Sequence, residues 1–82
     1  MQNYFRVPNS VFDLGVSTSA LVVLIYLYRC QNNKSEAFPS YNTIAKKCNI
    51  ERRTAIRVIN SLIDTGLIRK KLIGRVNHYR IN

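Results

Sequence analysis

Phe38-Pro39-Ser40-Tyr41-Asn42-Thr43-Ile44-Ala45-Lys46-Lys47-Cys48-Asn49-Ile50 runs straight into Glu51-Arg52-Arg53-Thr54-Ala55-Ile56-Arg57-Val58-Ile59-Asn60-Ser61-Leu62. Ser40 is a natural first residue for a helix, because its hydroxyl accepts from a backbone N–H that the first turn leaves without a partner. The pattern therefore predicts a short helix over 40–48, with Ile44 and Ala45 inward and Lys46 and Lys47 toward its outer end. Asn49 and Ile50 make a turn, and a longer helix follows over 51–65, where Gly66 supplies the left-handed residue that stops it. Ala55, Ile59, Leu62 and Ile63 recur at helical spacing with Val58 alongside, which leaves Arg52, Arg53, Ile56, Arg57 and Asn60 facing out.

Two helices joined this tightly form a helix-turn-helix pattern. Ala45 is small where the helices cross, and Ile50 fills the space beneath the turn. Downstream of Gly66 the apolar period changes from 3.6 to about 2. Ile68 and Leu72 alternate with Arg69 and Lys71, and Tyr79 and Ile81 alternate with His78 and Arg80, so 67–82 reads as a β-hairpin with its tip at Ile73 to Asn77. Upstream, Ser17 caps a helix over 17–31, in which Leu21, Leu24, Ile25 and Tyr28 form one stripe while Val22, Val23, Tyr26 and Leu27 cover much of the remaining circumference. A helix apolar on nearly every side needs two coverings. Either the N-terminal segment 1–16, with Phe5, Val7, Val11, Phe12, Leu14 and Val16, packs over it, or a second subunit does. Gln31 to Ala37 reads as a polar loop, and Phe38-Pro39 marks a very short extended piece before the second helix. The fold class expected is mainly α with a small β-hairpin: a three-helix bundle plus a wing, in one domain over 1–82.

The chain carries a net charge of +9, and ten of its thirteen Lys and Arg residues follow Ala45. Lys46, Lys47, Arg52, Arg53, Arg57, Arg69, Lys70, Lys71, Arg75 and Arg80 face only Glu51 and Asp64 in that part. Charge concentrated on one half of a folded domain is a footprint for polyanions. Cys30 and Cys48 read as reduced, partly buried thiols, and with His78 they are too few and too far apart for a zinc site. The first residues lack the basic and apolar regions of a signal peptide, and the apolar run Ala20 to Tyr28 is short of the roughly twenty residues that span a bilayer, so a soluble cytoplasmic protein is expected. Four carboxylates spread from Asp13 to Asp64, with no Gly-rich phosphate loop and no nucleophile with its base, offer no catalytic arrangement, and no cofactor or small-molecule substrate is expected.

Residues 38 to 81 resemble the winged helix-turn-helix domains of bacterial, phage and plasmid replication initiators and replisome organisers, and more loosely winged-helix transcription regulators of the MarR and GntR type. Phe5-Arg6-Val7-Pro8 ahead of a Ser-capped helix ending in Tyr26-Leu27-Tyr28 is similar to the lead-in of the replication group. The resemblance implies sequence-specific binding of double-stranded DNA, in replication initiation of a mobile element or, alternatively, in transcription regulation. One departure is Glu51, where these families often carry Ser or Thr.

The residues agree with that implication. Arg52, Arg53, Arg57 and Asn60 supply donors for guanine and adenine edges in the major groove, with Arg53, Arg57 and Asn60 the expected base readers and Ile56 either a contact for a thymine methyl or, on a slightly rotated helix, packed inside. Thr54, Ser40, Tyr41, Thr43, Lys46 and Lys47 are placed for phosphate oxygens, and Lys70, Lys71, Arg75 and Asn77 belong to a wing that reaches the adjacent minor groove. The competing reading is an assembly module without direct DNA reading, in which the apolar first helix and N-terminal segment form a homodimer.

Overall fold

The computed structural model describes Pro8, Ser10 and residues 13–31, 36–37 and 39–82. Helix α1 spans Thr18–Cys30, α2 Tyr41–Cys48 and α3 Arg52–Asp64. The first two starts have an identifiable cause. Ser17 Oγ accepts from the Ala20 N–H at 3.2 Å, and Ser40 Oγ accepts from the Thr43 N–H at 3.1 Å. Glu51 precedes α3 in extended conformation and makes no side-chain cap bond.

The two helix ends that shape the motif use the same device. Asn49 adopts φ 57°, the Asn49 N–H donates to the Lys46 carbonyl, and the Ile50 N–H reaches back to the Ala45 carbonyl at 3.0 Å. This is a Schellman ending, and the Ile50 side chain that follows it packs against the core. At the end of α3, Gly66 takes φ +79°, its N–H donates to Ile63, and the Leu67 N–H donates to Leu62. The Thr65 hydroxyl adds bonds to the carbonyls of Ser61 and Leu62.

Strands β1 Glu36–Ala37, β2 Ile68–Ile73 and β3 Val76–Ile81 form an antiparallel sheet in the order β1-β3-β2. The sheet thus has one strand more than the hairpin expected from sequence. Residues 36–37, expected to belong to the polar loop, form a strand instead, and Phe38, where the short extended piece was expected, lies outside the described residues. Alternation could not show β1, because two residues carry no period; the exposed edge of β3 supplied its partner. The hairpin tip is also tighter than expected. Ile73 pairs directly with Val76, leaving a two-residue loop in which Gly74 takes φ +62°, the glycine position of a type II′ turn.

The core joins Ala20, Val23, Leu24 and Leu27 of α1 to Ile44 and Ala45 of α2, Ala55, Val58, Ile59 and Leu62 of α3, and Ala37, Ile68 and Tyr79 of the sheet. Helix α1 is rotated relative to the expected stripe: Leu21, Ile25 and Tyr28 are only half-buried, and Val22 is exposed. On a uniformly apolar helix two stripes satisfy the same period, and contact with α2, α3 and the sheet selects between them. Leu72, which alternates in step with the buried Ile68, is 65% exposed. It does share the face of Ile68 and Tyr79, but the ribbon has run past the body of the molecule by that rung. The expected packing of segment 1–16 falls largely outside the described residues. Cys30 and Cys48 are free thiols, both half-buried.

Candidate nucleic-acid interface

Helix α3 packs its inner stripe on α1, α2 and β2, so its other side is left to solvent. Arg52, Arg53, Arg57 and Asn60 are exposed there, with Thr54 and Ile56 half-buried. Arg53, Ile56, Arg57, Asn60, Ser61, Asp64 and Thr65 line one shallow groove along this face. Ile56, which the sequence leaves either exposed toward a thymine methyl or packed inside, is half-buried among these residues, at the border of the buried stripe.

A second depression gathers residues that sequence separates by more than thirty positions. Ser40, Tyr41 and Asn42 at the start of α2, Arg52 at the start of α3, and Arg75, Val76 and Asn77 at the wing line one cleft. Two helix N-termini and two guanidinium groups therefore meet the tip of the hairpin, an arrangement that favours an anion. Asn42 and Val76 were not among the residues singled out from sequence; nothing local marks them, since only the fold brings the wing to the two helices.

A chain of contacts holds this cleft in shape. Asn77 Nδ2 donates to the Tyr79 hydroxyl at 3.2 Å, the Tyr79 and Tyr41 hydroxyls are hydrogen-bonded, and the Arg52 guanidinium lies 5.8 Å from the centroid of the Tyr41 ring. Burial, then the neighbouring Tyr41, push the Tyr79 hydroxyl above its ordinary pKa. The wing is thus tied through two tyrosines to the arginine that opens α3. Tyr41, expected as a phosphate contact, is half-buried and supports Arg52 from below. Ser40 and Thr43 bond each other at 3.0 Å and remain exposed.

Other expected contacts are more dispersed. Lys46 and Lys47 are exposed in the last turn of α2, at the far end of that helix from Ser40, where they also complement the helix dipole. The strand pleat sends Lys70 to the face of Tyr79 and Lys71 to the opposite face, across from His78. Arg69, Lys71, His78 and Arg80 share that far face, which period-2 alternation alone would have revealed. Glu51 is exposed at the entrance of α3. Among the described residues no three His, Cys, Asp or Glu side chains cluster as a metal site would need, and no helix is long and apolar enough to cross a membrane.

Compared by sequence, no curated protein matches the chain. Solved structures share its architecture, the following two among them. TubR bound to 24 bp of tubC from Bacillus thuringiensis serovar israelensis pBtoxis superposes with a TM-score of 0.63 at 20% identity, over 96% of this chain and 85% of that one. An ArsR family transcriptional regulator superposes with a TM-score of 0.60 at 23% identity, over 96% of this chain and 77% of that one. At such identities the likeness is one of fold, and it shows the three helices and hairpin to be a winged helix-turn-helix. Residues 14–68, more than half of the sequence, match a family described as a helix-turn-helix domain, and the chain belongs to that family.

Proposed function

We propose that this protein binds double-stranded DNA sequence-specifically, with α3 in the major groove and the wing over the flanking minor groove. The observation that carries the reading is the cleft in which Arg52, Arg75 and the start of α2 converge beside the outward face of α3. Arg53, Arg57 and Asn60 read base edges, with Ile56 against an apolar group between them. Arg52, Thr54, Ser40, Thr43, Lys46 and Lys47 hold phosphates, Tyr41 positions Arg52, and Lys70, Lys71, Arg75 and Asn77 act from the wing. The family match and the DNA-bound state of TubR support DNA as the partner.

Replication initiation of a mobile element is the role that the resemblance of residues 38 to 81 supports. Transcription regulation is the second reading, favoured by the likeness to an ArsR family transcriptional regulator. A homodimer through α1 belongs to either, since α1 keeps Val22 exposed and Leu21, Ile25 and Tyr28 only half-buried.

Selection from a pool of random duplexes, followed by footprinting on the parent genome, tests these statements together. Enrichment of a defined motif is expected. Tandem direct repeats at an origin support initiation, a palindrome at a promoter supports regulation through a two-fold dimer, and recovery of no duplex at any salt concentration refutes DNA binding.

A further inference from the structure

The end of the wing is apolar where a solvent-facing hairpin is ordinarily polar. Five large hydrophobic side chains are exposed among the described residues, and three of them, Leu72 at 65%, Ile73 at 48% and Val76 at 47%, surround the loop Gly74-Arg75. Scattered exposed hydrophobics are unremarkable, but a contiguous group marks a contact surface. The register divides these three between the two sides of the ribbon. Leu72 lies on the face of Tyr79, whereas Ile73 and Val76 pair directly and share the other face. A ribbon end apolar on both faces suits a slot rather than a flat surface. Lys70, Lys71 and Arg75 form a basic collar around it.

We propose that the wing tip is a wedge that enters the DNA minor groove and bends the duplex. Leu72, Ile73 and Val76 lie against the sugar walls and a partly unstacked base step, while Arg75 and the two lysines hold phosphates of both strands. The proposal rests on the duplex-binding reading above. Dimensions require the deformation. The minor groove of B-DNA is about 6 Å wide. The two strands of a ribbon are already about 4.8 Å apart before side chains are added. A tip with side chains on both faces enters only if the groove opens, and apolar side chains seated at a base step open it by bending the duplex toward the major groove. Charge selects this occupant over a second copy of the chain: two such tips would bring two basic collars together, and the whole sequence has only four acidic residues to offset thirteen basic ones.

The test uses the full chain and a short duplex carrying donor and acceptor dyes at its ends, built around the selected motif with a flexible pyrimidine–purine step in the flank. The triple variant Leu72→Thr, Ile73→Thr, Val76→Thr removes the apolar tip and retains good strand formers; the single variant Ile73→Thr serves if the triple variant does not fold. Binding of the parent is expected to raise energy transfer, and the triple variant to bind with that rise lost, the single variant with it reduced. An equal rise with the variants, or binding of the parent with no rise, overturns the wedge and leaves duplex binding standing. A DNA-free change in sedimentation caused by the substitutions assigns the tip to self-association and also overturns it. Absence of any salt-dependent duplex binding by the parent removes the wedge together with the reading beneath it.

Discussion

Arg53 and Arg57 are one turn apart on α3, both exposed, and both line the groove floored by Ile56. Replacing both with Ala leaves the core of α3 untouched, so the melting temperature should stay close to that of the parent. Preference for the selected motif over random duplex should disappear; competition titrations check this, and retained preference would place base reading elsewhere. Tyr79 makes the opposite case, a residue that contacts no ligand yet shapes the site. Tyr79→Phe keeps the buried ring but removes its bonds to Tyr41 and Asn77. We expect a loss of about 1 kcal/mol in denaturant unfolding, together with weaker duplex binding as the wing loosens from Arg52. Its pH dependence has a definite sign. A hydroxyl whose pKa is raised on folding keeps its proton when the unfolded chain releases it, so stability is full below about pH 10 and falls above it. Tyr26, pushed up to about 12 by burial and by its hydrogen bond with Cys30, adds to the same alkaline loss. The fall should be shallower in the Tyr79→Phe variant.

The ribbon and the third helix each make a prediction that single residues do not. Adjacent lysines in a strand point to opposite faces, so Lys70 shares the side of the sheet that packs on the helices and Lys71 does not. A ribbon seated in a groove meets phosphates on both faces, so Lys70→Ala and Lys71→Ala should each weaken binding to all sequences alike and lower the slope of log affinity against log salt by about one. An unchanged slope in either variant would contradict the placing of both lysines on phosphates. For α3 the informative residue is Glu51, which occupies the cap position without making a cap bond. Glu51→Ser supplies that bond and removes a carboxylate beside the DNA-facing entrance of the helix, at the loss of a favourable interaction with the helix dipole. The two stability effects are of similar size and opposed. Duplex affinity should therefore rise at low salt with little change in melting temperature, and the gain should shrink as salt is added. An affinity indifferent to Glu51 would mean that the start of α3 stands away from the phosphates.

The described residues span 30 × 30 × 24 Å, whereas one turn of B-DNA is about 34–36 Å long. One chain therefore covers about one turn, and a footprint near ten base pairs per bound protomer is expected; protection of two turns by a particle that sediments as a monomer would refute the docking. At this scale the limits of the sequence are also visible. Capping serines, the inner stripe of α3, the glycine stop at residue 66 and the change of period after it follow from local chemistry, so two helices, their turn and the hairpin were legible from residue types and spacing. The excess of cations after Ala45 was legible for the same reason, since charge is a property of composition. The buried side of α1 was not, because an all-round apolar helix leaves its orientation to its neighbours. Nor was the strand at Glu36–Ala37, which exists because β3 offers it an edge. The cleft uniting Ser40, Arg52 and Arg75, and the Asn77–Tyr79–Tyr41 chain that holds it, join residues far apart along the backbone. Periodicity reports how a segment divides into faces, and only packing decides which faces from different segments meet.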